Sequence, residues 1–134
     1  MSYSNTFIHV SADCPVDHSE IPKEKNGKKP VHLIQYELLT KNPYKYDHEH
    51  LIFEVYLRHK GLQPAKDEQK ELWEQLFSKG HPCLRASALI KRYGFGAHYN
   101  EEGKIALYPM ESKAYKEFAA DASLSHYAGM KTKR

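Results

Sequence analysis

Apolar positions along this chain follow two rhythms, one of alternate residues and one of every third or fourth, and the switching between them predicts an α+β fold. Thr6 to Val10 reads as a short strand between polar residues. After Pro30, whose missing N–H suits a first helical turn, Val31, Ile34 and Leu38 repeat at helical spacing, and that helix is expected to stop before Asn42-Pro43. Between Asp47 and Lys60 the rhythms compete. Leu51, Phe53, Val55 and Leu57 alternate as in a strand, but Asp47, His50, Glu54 and Arg58 recur at steps of three and four, which makes one wet stripe on a helix capped by Asp47 and ended by Gly61. Leu72, Trp73, Leu76 and Phe77 give the next helix its apolar face, with Pro64 opening it and Gly80 stopping it.

Further on the pattern turns to strands. Arg92 to Tyr99 and Lys104 to Tyr108 flank Asn100-Glu101-Glu102-Gly103, a hairpin signal with glycine where a left-handed residue closes the turn. Tyr115, Phe118, Ala119 and Ala122 then mark a last helix from about Ser112. The expected architecture is a small antiparallel sheet, holding the hairpin and Thr6 to Val10, covered by about four helices. At 134 residues this is one domain, with a long loop over 12–30 and a basic tail over 131–134.

Composition changes this picture in one respect. The chain is short of aliphatic residues but holds 10 tyrosines and 9 histidines, rings that cover apolar surface while keeping a polar tip. Tyr36, Tyr56, Tyr99 and Tyr115 fall on helices or on the core side of the hairpin and are expected to stand in for missing leucine and valine. A net charge of +3, with Lys and Glu interspersed, argues against a committed nucleic-acid binder. The basic stretch Lys23 to Lys29 is expected to be a solvated loop. Cys14 and Cys83 are too far apart in sequence, and too few, for a thiolate-rich metal site, and they suit reduced thiols in a cytoplasmic protein. Neither a secretory leader nor a membrane span is expected.

Candidate chemistry gathers on the hairpin. If Tyr99 opposes Ile105, then Phe95, Ala97, Tyr99, Ile105 and Leu107 share the core face, and Arg92, Gly94, Gly96, His98, Ala106 and Tyr108 share the other. Two interior glycines admit two readings: a helix packs directly over them, or a small anionic ligand lies on the strip. The second reading nominates Arg85, Lys91, Arg92, His98 and Tyr108 as the binding residues, because guanidinium suits carboxylate or phosphate. Tyr93-Gly94-Phe95-Gly96 echoes an RNA-recognition strand, but Ala97 stands where that strand needs an aromatic ring. An enzyme alternative places Cys83 or His98 as the reactive group beside the hairpin, with His81 on the same extended face as Cys83. A third reading is a homodimer through exposed tyrosines. Asp47-His48-Glu49-His50 is read as a polar helix start rather than a metal site, and no motif implies a cofactor.

Several blocks together, Ala12-Asp13-Cys14-Pro15, Gln35-Tyr36-Glu37-Leu38-Leu39, Pro82-Cys83-Leu84-Arg85-Ala86-Ser87, Lys91-Arg92-Tyr93-Gly94 and Gly103-Lys104-Ile105-Ala106-Leu107-Tyr108, resemble a family of small bacterial proteins of unknown function. The resemblance runs nearly end to end. It implies a soluble bacterial protein and brings no activity, cofactor or catalytic residue.

Overall fold

A computed structural model describes residues 3–132 of the chain. Its strands are β1 (Thr6–His9), β2 (Phe95–Tyr99), β3 (Ile105–Pro109) and β4 (Ser125–Ala128), and they form one sheet in the order β3-β2-β1-β4. Its helices are α1 (Val31–Lys41), α2 (His48–Lys60), α3 (Lys66–Leu76), α4 (Ala88–Lys91) and α5 (Lys113–Ala119), with a 3₁₀ turn at Leu84–Ala86. The fold is therefore α+β.

The sheet is mixed rather than antiparallel, because β4 runs parallel to β1. Since β1, β2 and β3 alternate in direction, β3 and β4 point the same way, and the chain between them has to cross a face of the sheet to reach the opposite edge. That crossing is α5. It covers the outer face, while α1, α2 and α4 cover the inner one.

The hairpin register follows its turn. Asn100 Oδ1 accepts from the N–H groups of Glu102 and Lys104, Gly103 sits at φ 79°, and Tyr99 pairs with Ile105. Phe95, Ala97, Tyr99, Ile105 and Leu107 accordingly join Ile8, Leu39, Leu89 and Ile90 in the core. β2 begins three residues later than the pattern predicts. Arg92 caps α4 instead, and Gly94 turns the chain at φ 79° before the strand starts. Lys91 is the last residue of α4.

Asp47 caps α2 by accepting from the His50 N–H, and Gly61 ends it in the left-handed region. α3 forms where the apolar spacing places a helix but buries none of its residues; it rests on α2 through Trp73, whose ring lies 5.1 Å from that of Phe53. Between β1 and α1 there is no helix or strand. One turn is well formed there: Lys25 and Lys28 exchange backbone hydrogen bonds around Asn26 and Gly27, both at positive φ. Of the basic tail, Lys131 and Thr132 are exposed, and Lys133 and Arg134 lie outside the described residues.

Candidate functional site

Register places Gly96, His98, Ala106 and Tyr108 on the outer face with Phe7, His9 and His126. This strip is covered. A Cβ added at Gly96 would come within 2.5 Å of a Tyr115 ring carbon and 2.8 Å of the Phe7 ring, and one at Gly94 within 2.9 Å of Met110 Sδ. Gly96 lets α5 approach the sheet, and Gly94 lies against Met110 and the His18-Ser19 backbone, so the two glycines floor no open groove.

At the edge of α5, His98 stacks on Phe118 with 4.1 Å between ring centroids. Its Nδ1 lies 2.8 Å from the Tyr44 hydroxyl, which in turn lies 2.7 Å from the Tyr108 hydroxyl. Burial pushes the Tyr44 hydroxyl far above its ordinary value, with Tyr108 adding to the rise, so Tyr44 stays protonated. Burial also holds His98 below the usual histidine range, against a smaller opposing pull from Asp121. The arrangement is a chain of neutral donors and acceptors. Tyr44 is the member that the sequence pattern did not nominate.

The remaining nominated residues lie elsewhere. Arg85 donates from Nε to the Ala128 carbonyl at 2.7 Å, which ties the 3₁₀ turn to β4. Arg92 is exposed at the end of α4, where its charge helps burial to depress His32. Lys91 is half-buried on α4. No hydrogen bond or ion pair among the described residues links Arg85, Lys91 or Arg92 to His98 or Tyr108. His81 is not paired with Cys83, since its Nε2 bonds the Leu76 carbonyl at 2.6 Å and its ring meets Phe77. His50 shares Asp47 as a capping partner. Among the described residues, no group of three or more His, Cys, Asp or Glu side chains is placed to hold a metal ion.

A large concavity lies between α1 and α2, where a cleft of about 1100 Å³ opens beneath the Lys28-Lys29 segment and the linker that follows Gly61. Ile34, Leu38 and Leu57 supply its apolar wall. Lys28, Lys29, Arg58 and Lys60 supply its charge. The two carboxylates that line it are already engaged: Glu37 receives Lys29 Nζ at 2.9 Å, and Glu54 receives Arg58 Nε at 3.0 Å. Lys28 and Lys60 form no ion pair among the described residues. The Asn26-Gly27 turn is what presents Lys28 and Lys29 there. Residues 23–29 are all exposed, as expected of a solvated loop, and Lys28 and Lys29 at its end also line the cleft.

The model of a family of unknown function (DUF6157) matches residues 1–134, the whole chain. The chain belongs to DUF6157. No curated protein and no solved structure matches it. Membership in DUF6157 assigns no activity, so the chemistry of this chain has to be read from its own side chains. No described helix is long and apolar enough to cross a membrane.

Proposed function

We propose that this protein is a binding domain for a small organic anion, a carboxylate or phosphate monoester with an apolar body, taken up in the cleft between α1 and α2. One observation carries the reading: four cations surround a concavity with an apolar wall, and its only two acidic side chains are spent in ion pairs with two of those cations. Arg58 keeps its terminal nitrogens for a planar anion while Glu54 holds its Nε in place. Lys28 and Lys60 add point charges, and Ile34, Leu38 and Leu57 accept the apolar part, the usual division of labour in a small-molecule site. A cytoplasmic setting fits the two free cysteines.

Thermal unfolding in a panel of aliphatic carboxylates and phosphate monoesters tests the reading, because a ligand that binds only the folded state raises its stability by about 2.7 kcal/mol at one hundred times its dissociation constant. At least one compound is expected to raise Tm in the wild type and to lose that effect in the Arg58→Ala, Lys60→Ala double variant. A shift that survives in the double variant, or a flat response to every compound at millimolar concentration, sinks the proposal.

A further inference from the structure

His9 on β1 and His126 on β4 meet on the outer face of the sheet. His9 Nε2 lies 2.8 Å from His126 Nδ1, and the ring centroids are 5.0 Å apart. Neither residue lines the cleft between α1 and α2, and neither belongs to the Tyr44-His98-Tyr108 chain.

Hydrogen bonding fixes which nitrogen of each ring carries the proton. His126 Nε2 lies 2.7 Å from the Asp121 carbonyl oxygen, which only accepts, so this nitrogen holds the hydrogen. Nδ1 of the same neutral ring then presents its lone pair to His9, and His9 Nε2 donates into it. His9 Nδ1 has no hydrogen bond among the described residues, so it is free to take the proton when Nε2 gives it up. Burial, with the neighbouring His126 adding to it, holds His9 below the usual histidine range, which keeps its ring neutral above pH 7.

Two neutral imidazoles held in this way match what a metal ion asks of its ligands. A ligating histidine donates its other ring N–H to a carbonyl or carboxylate, which orients the ring and makes the ligating nitrogen more basic. His126 already does so through the Asp121 carbonyl. An ion about 2.0–2.1 Å from each nitrogen needs adjacent donors roughly 2.9 Å apart at a right angle and roughly 3.4 Å apart at a tetrahedral one. The observed 2.8 Å falls just short of that range. His126 stands exposed on an edge strand, so its ring has room to turn and open the pair, while His9 is set edge-on against the Phe7 ring at 5.0 Å.

We propose that His9 Nε2 and His126 Nδ1 bind a divalent transition metal of the imidazole-preferring class, Zn²⁺ or Cu²⁺, with water in the remaining positions. The ion takes the place of the shared hydrogen. The His9 proton moves from Nε2 to Nδ1 through solvent, both rings stay neutral, and the bond from His126 to Asp121 is kept. Two protein ligands make an exchangeable site rather than a closed four-ligand centre. Its ligands stand 117 residues apart in sequence, so the bound ion ties the exposed strand β4 to β1 and stabilises the folded chain.

The test titrates the untagged full chain, freed of metal with EDTA, with zinc sulfate at pH 7.5 in a buffer that does not chelate. One equivalent of zinc is expected to bind and to raise Tm. His9→Ala and His126→Ala should each weaken zinc binding at least tenfold, the loss already seen when only a supporting partner of a ligand is removed. His59→Ala, at an exposed histidine on α2, should bind as the wild type does. Nitrogen-15 NMR of the wild-type imidazoles needs no variant: zinc should move His9 Nε2 and His126 Nδ1 while His126 Nε2 keeps its hydrogen. With copper, the electron paramagnetic resonance spectrum should show two coordinated nitrogens. Absence of binding at millimolar zinc and copper, binding that survives both His9→Ala and His126→Ala, or shifts confined to other histidines overturns the proposal.

Discussion

Tyr115 lies directly over Gly96, so close that a single added carbon at position 96 would come within 2.5 Å of its ring. The opposing side is backbone and the Phe7 ring, neither of which can retreat without disturbing the sheet. Gly96→Ala should therefore destabilise the protein by about 1–3 kcal/mol, the usual cost of overpacking. Gly80→Ala, where an added carbon meets nothing, is the matched control and should change stability by less than about 1 kcal/mol. Denaturant unfolding of both variants reads the difference.

Four histidines, His9, His32, His48 and His98, are held below the usual histidine range, in each case chiefly by burial. A histidine with a depressed folded-state value binds its proton more readily when unfolded. Its stabilising contribution is thus complete above the unfolded value of about 6.5 and is lost as the pH falls through it. Unfolding free energy should rise between pH 5 and pH 7.5. Proton NMR should show the His98 ring titrating below a model histidine peptide.

Tyr44→Phe removes a hydroxyl that lies between His98 Nδ1 and the Tyr108 hydroxyl. The expected loss is about 1–2 kcal/mol, since both partners are left half-buried without it. A double-mutant cycle with Tyr108→Phe should show the two losses to be less than additive. Additive losses would mean that the two hydroxyls act independently.

Asp47→Ala should cost about 1 kcal/mol, because Asp47 Oδ1 accepts from both the backbone N–H and Nδ1 of His50 at the start of α2. Asp47→Asn, which keeps an acceptor, should recover most of it. Urea midpoints at pH 7 measure both.

Patterns that repeat were legible in the sequence, and contacts made once were not. The hairpin register could be read because Asn100 and Gly103 set the turn and alternation set the faces. α2 could be told from a strand by its polar stripe, and α5 by Ser112 ahead of Tyr115 and Phe118. β4 offers no such signal: all four of its residues are exposed, and it pairs with β1 only because α5 delivers it there. α4 is too short to show a period, so Lys91 and Arg92 read as strand. In the candidate cleft, Asn26-Gly27 was a visible turn signal hidden by the lysines around it. Nothing in the sequence could bring Lys28 to Arg58, or leave the Tyr99 hydroxyl without a partner.

The crossing of α5 also dictates an order of assembly. β1 is translated before either of its partners, for Thr6 pairs with Tyr99 on one side and Ser125 on the other. Until both arrive, an apolar ribbon of Phe7 and Ile8 waits with its two edges open, and closing such distant pairings is slow. During synthesis the nascent chain carries a largely buried strand with no partner for either edge, and the ribosome and chaperones rather than the native fold have to keep that strand from pairing with a neighbour.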